Sequence, residues 1–240
     1  MNSPQSEPVG QMFHQTYEAM THFASTGQFE SELPRARREF EQRTGELFET
    51  DPGFERRIAA FLEWYVLDRF LSFAPNKTPA MLYIEAQVPE LTTPEVNNLR
   101  GMMRTTLSLF EFKRSKDEHL HVVDLLDGKK LKVYERRKPV GLESGDILEA
   151  RLVPCDGELL FSECFTFHPR NSRKAIRKAS KTFRKAIIPP SRVDFVHRVA
   201  YFTNRCERYK HVNPEQIFAE LEQYRVPEPA SVVVSAQAAG

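Results

Sequence analysis

Cysteine and glycine are scarce in this chain, at three and ten of 240 residues. Cys155, Cys164 and Cys206 form an odd set with no Cys-x-x-Cys among them. That pattern excludes the disulfide framework of a small secreted domain and the ligand spacing of a zinc ribbon. The glycines fall mostly at turns, which leaves none for a phosphate-cradling loop. Gly-x-Ser-x-Gly and His-Glu-x-x-His are both missing, and no cysteine has an evident histidine partner. Nucleophilic and zinc-peptidase chemistries therefore lack their residues. Long apolar runs are also missing, because acids or bases interrupt every stretch that approaches a membrane span. Met1–Gly10 is polar and holds neither the basic nor the apolar part of a secretory leader. Together these absences predict a cytoplasmic, non-enzymatic protein with no cofactor and no metal.

What is present suits a globular core. The chain is 40% hydrophobic and 28% charged, with 18 phenylalanines, and is long enough to fold without staples. Helical spacing dominates the first hundred residues. Phe13, Tyr17, Met20 and Ala24 recur on one side, and Phe40 and Leu47 follow Pro34. Phe54, Ile58, Phe61, Leu62, Tyr65, Val66 and Phe70 make a wide stripe after a start at Asp51-Pro52. Thr78-Pro79 and Thr93-Pro94 open two more helices. Near Leu107 the period shortens to two, as in strands, through Arg114 and again over His119–Leu126. Asp127-Gly128 predicts a tight turn into Leu131 and Val133, and Asp156-Gly157 another between 146–153 and 159–167.

Past Pro169 the helical period returns, with Ile176, Phe183 and Ile187 on one face until Pro189-Pro190 stops it. Ser191 with Asp194, and Asn213-Pro214, then open two further helices. The reading is an α+β fold in four stretches. Residues 1–106 are a helical region, and 107–168 form a five-stranded antiparallel meander or small barrel. Residues 169–226 are a basic helical region, and 227–240 a disordered tail. No flexible linker divides the first three, so they pack as one unit.

Several strings resemble a group of uncharacterised bacterial proteins. They are Phe61-Leu-Glu-Trp-Tyr-Val-Leu-Asp-Arg69, Thr78-Pro79 with Tyr83, Asp124-Leu-Leu, and Gly145-Asp-Ile-Leu-Glu-Ala-Arg151. The resemblance spans roughly residues 54–170 and implies a helical region packed on a small β domain. It implies no activity and carries no site residues.

The net charge of +1 hides a steep gradient: 164–212 sums to +11, 213–240 to −3, and 1–163 therefore to −7. Arg170, Arg173, Lys174, Arg177, Lys178, Lys181, Arg184 and Lys185 follow one another without an intervening acid. Like charges four apart on a helix repel, so this helix invites an anion. That anion is an acidic protein surface or nucleic acid; an acidic lipid surface is a further option. The competing reading docks the helix on the acidic part of its own chain. No base-reading motif is present.

Three other constellations bear on chemistry. Phe110, Phe112, Phe161, Phe165 and Phe167, with Lys113, Arg114, Lys129, Lys130 and Lys132, could line a nucleic-acid-binding barrel or simply fill its core beside a charged edge. His119 and His121 lie two apart, as zinc ligands on one strand or as solvent-facing residues of an edge strand. Glu111-Phe112-Lys113 with Asp124 resembles part of a metal-dependent nuclease core, in the wrong chain order.

Overall fold

The computed structural model describes residues 11–87, 92–135, 141–155 and 157–223. The expectations for Met1–Gly10, Pro139, Asp156 and 227–240 fall outside them. Five α-helices come first: α1 (Gln11–Phe23), α2 (Glu32–Thr44), α3 (Phe54–Leu67), α4 (Pro79–Gln87) and α5 (Thr93–Met102). The wide apolar stripe makes α3 the hub, burying Phe61, Trp64, Tyr65 and Val66 against Met20, Ala24 and Phe40. Its start differs from expectation. The helix begins after Gly53, and Asp51 accepts hydrogen bonds from Arg57 (3.3 Å) and Arg208 (2.7 Å) in place of the helix N–H groups. Two guanidinium donors outcompete a neutral backbone donor for one carboxylate. Phe70 lies past the end of α3 and is 54% exposed. α5 is capped one residue earlier than the Thr-Pro pair suggests, by a box of Thr92 and Glu95.

The strands are β1 (Thr106–Lys116), β2 (His119–Asp124), β3 (Lys130–Tyr134), β4 (Ile147–Cys155) and β5 (Glu158–Phe167). They close into a barrel in the order β1-β2-β3-β5-β4. β1 pairs antiparallel with β2 over its second half and with β4 over its first. β3 meets β5 in parallel, at Tyr134↔Leu160. The sheet is thus a small mixed barrel. The meander fails because β4 returns to β1 instead of pairing with β3. Alternation tells which face a residue takes and leaves its strand partner open. Phe110, Phe112, Leu120, Val122, Val133, Leu148, Ala150 and Phe161 fill the interior. Asp127-Gly128 belongs to a longer loop than expected. Leu125 and Leu126 in it are buried, and Gly128, at φ +82°, donates to the Asp124 carbonyl (2.8 Å).

A short 3-10 turn, Arg170–Ser172, leads into α6 (Arg173–Lys185), followed by α7 (Arg192–Arg208) and α8 (Pro214–Phe218). Ser191 and Asn213 cap α7 and α8, accepting from Asp194 N (3.4 Å) and Glu215 N (2.9 Å). Leu109 and Ile147 pack away from the barrel interior, in a second core with Ile176, Phe195, Val199 and Phe202. α6 and α7 therefore cover the outer side of β1 and β4. α6 ends at Lys185, because the approach to Pro189-Pro190 is extended backbone. Ile187, expected on its apolar face, is 99% exposed. Among the described residues no helix is long and apolar enough to cross a membrane.

Candidate anion-binding face

The eight cations of the basic stretch divide by residue type. Every arginine turns onto the protein. Arg170 donates to Asp146 (3.1 Å) and to the Gly141 carbonyl (2.8 Å), and pairs with Glu143 (2.7 Å). Arg173 joins it on Asp146. Arg177 forks onto both oxygens of Glu111 (3.2 and 3.1 Å) and reaches the Gly145 carbonyl (3.2 Å). Arg184 donates to the Leu125 carbonyl (3.1 Å), which ties the end of α6 to the β2–β3 loop. A planar fork of donors suits carboxylates and carbonyls in fixed positions. Burial alone would raise the Glu111 carboxyl, but hydrogen bonds from Lys113 and Arg177 hold it below the ordinary range.

The lysines turn outward. Lys174, Lys178, Lys181 and Lys185 are all exposed. Lys178 pairs with Glu222 (2.6 Å) at the surface. Lys174, Lys181 and Lys185 have no ion pair among the described residues. Beside them lies an apolar shoulder. Ile187 and Ile188 stand almost fully in solvent, and Phe183, Ile188, Pro189 and Pro190 line a groove of about 370 Å³ against α7. The arginines of the basic helix thus dock on the protein, and its lysines face out.

The barrel carries a second cationic surface. In register across three strands lie Arg114↔His121↔Lys132, and one step along them Lys116↔His119↔Tyr134. Leu120, Val122 and Val133, the alternate residues, point into the barrel. Arg114, Lys116, Lys130 and Lys132 are exposed, and His119, His121 and Tyr134 half-buried. Burial, with Arg114, Lys132, His119 and Lys116 close by, pushes His121 below the ordinary histidine range. β2 is hydrogen-bonded on both sides, so its histidines are not on an edge strand. The lysine run of β3 and the basic end of β1 meet only through pairing with β2, which alternation does not reveal.

The other constellations come apart. Glu111 is held by Arg177 and Lys113, whereas Asp124 is engaged by Ser108, Arg192 and the Leu126 N–H. His119 pairs with Glu158 (3.5 Å), and among the described residues no three His, Cys, Asp or Glu gather to hold a metal. Phe110, Phe112 and Phe161 are core, Phe165 packs against it, and Phe167 is 45% exposed. Perturbed groups do cluster elsewhere. Glu63, Glu149, Cys164 and His197 surround a cavity of about 10 Å³ between α3 and the barrel. It has room for one water and none for a substrate. Burial pushes the Cys164 thiol up, which removes its nucleophilic form.

No curated protein and no solved structure matches the chain. Residues 45–202, which take in α3, the barrel and α6, match a family of unknown function, DUF7986. Both cationic surfaces fall within that span, and the chain belongs to the DUF7986 family.

Proposed function

We propose that this protein is a non-enzymatic binding module whose α6 presents lysines to an acidic protein surface. One observation carries the reading: arginines pin the helix to the barrel and leave Lys174, Lys181 and Lys185 outward on a rigid support. A helix already held in place does not have to be ordered when an anion arrives, so less of the interaction is offset by that cost. The apolar shoulder favours a protein over a phosphate backbone, since protein interfaces combine an apolar centre with a polar rim. Ile187 and Ile188 supply that centre.

Reversing Lys174, Lys181 and Lys185 to Glu is expected to weaken retention on immobilised polyglutamate at low salt, with thermal stability unchanged. Retention equal to that of the unmodified protein overturns the proposal. Anionic vesicles bound in preference to polyglutamate would replace it with a lipid-surface reading.

A further inference from the structure

We infer that the outer face of β1, β2 and β3 binds single-stranded nucleic acid. The argument stands on residues other than the α6 lysines. Acids normally interleave with bases on a solvated sheet face. Here Arg114, His121 and Lys132 share one row, with Lys116 in the next and Lys130 near the hairpin loop. The outward carboxylate of that face, Glu111, is already engaged by Arg177 and Lys113. Asp127 is likewise paired, with Lys129 and Arg192, and Glu158 with His119 at the rim. Lys116 pairs with Asp117 (3.8 Å), and the cations of this face left without a carboxylate among the described residues, Arg114, Lys130 and Lys132, point to a polyanion.

Two features select a nucleic acid strand over an acidic protein. The cations lie on a rigid sheet at the strand repeat, with alternate residues roughly 7 Å apart and neighbouring strands about 5 Å apart. A regular array of that kind suits a regular backbone of charges. Rings are interleaved with the cations: His121 in one row, and His119 with Tyr134 in the other, their rings 5.4 Å apart and edge-on. Rings of fixed orientation are platforms on which unpaired bases stack, and His121 and Tyr134 supply them; the His119 side chain, 12% exposed, backs Tyr134. Duplex bases are already stacked and cannot use them.

The competing explanation is that the lysines guard an open edge, since β3 meets β5 at one register pair. That accounts for Lys130 and Lys132. It also covers Arg114 and Lys116, whose half of β1 pairs only with β2, but leaves out His121, because β2 has no free edge.

The test uses the full chain and a labelled oligothymidylate of about 16 nucleotides, the upper site size of a small barrel. Fluorescence anisotropy is expected to show binding that weakens with salt, with a log–log slope of about −2 for roughly three neutralised phosphates. Arg114→Gln, Lys116→Gln and Lys132→Gln together should cut affinity by roughly tenfold or more and flatten the slope. Tyr134→Leu should cut affinity with the slope unchanged, the signature of lost stacking. The Lys174, Lys181 and Lys185 reversal should leave binding largely intact. If that reversal alone abolishes it, the barrel face is the wrong site while the α6 reading survives. No binding at low salt, undiminished binding by the glutamine variant, or equal affinity for a duplex of the same length each overturns the inference.

Discussion

Glu149 is a carboxyl group with almost no water around it, 8% exposed and with one oxygen lacking a hydrogen-bond partner. Burial pushes it up to about 8, against a smaller opposing pull from Arg56. The folded chain therefore keeps a proton that the unfolded chain releases near 4.5. The associated stability is complete below about 4.5 and is lost as pH rises through 8. Glu149→Gln keeps the shape and removes the titration. Above pH 8 it is expected to stabilise the protein by on the order of 2–4 kcal/mol, with little effect at pH 4.5. Urea midpoints measured from pH 4 to 9 check this, and a variant curve parallel to the parent's would contradict it. His168 and His197 act on the other limb. Burial pushes both down to about 3, so the stability they confer is present above the ordinary 6.5 and is lost as pH falls toward 3.

At the scale of an element, α6 has an electrostatic fault at its start. Its first turn holds no acid and begins with Arg173 and Lys174, opposite in sign to what a helix N-terminus favours. Asp146, from the turn before β4, supplies the missing charge. It accepts from Arg170, Arg173 and the Glu143 N–H (2.7 Å). Asp146→Ala is expected to cost roughly 1–3 kcal/mol, since it strands charged donors. The loss should be local, appearing as faster amide exchange over residues 170–177 with α7 unchanged. Uniform acceleration across the molecule would show that Asp146 supports the barrel and not the helix.

For the whole molecule, the junction of the helical layer with the barrel depends on Arg151. This β4 residue is 1% exposed and donates to Glu63 (3.3 Å), Asp68 and Thr105 (3.1 Å). Removing it leaves two acids buried or nearly so without their cation, at a cost of about 3–5 kcal/mol. Arg151→Met is expected to lower the unfolding free energy from urea titration by that amount, and adding Glu63→Gln in the same chain should recover part of the loss. An unfolding free energy within about 0.5 kcal/mol of the parent's, the usual range for surface changes, would mean the junction is held by packing alone. α7 adds four more ties across the fold: Arg192 to Asp124, Arg208 to Asp51, Asp194 to Arg43 and Glu207 to Arg56. The Arg192 and Arg208 ties account for part of the +11 of residues 164–212 within the molecule itself.

Local spacing was enough to read the helices around Phe61 and Val199, the strands from Leu107 to Phe167, and the α+β class, because burial periodicity is written residue by residue. It also located the basic stretch. Where each cation went was decided by tertiary structure. The separation of arginines from lysines on α6 depends on Asp146 and Glu111 lying 24–66 residues away in sequence yet within hydrogen-bond reach of Arg170 and Arg177. The face built from Arg114, His121 and Lys132 depends on strand register, a long-range property that alternation leaves open. Closure of β1 on β4 is of the same kind: a strand's faces follow from its own residues, but its neighbours are chosen by the packing of the whole chain.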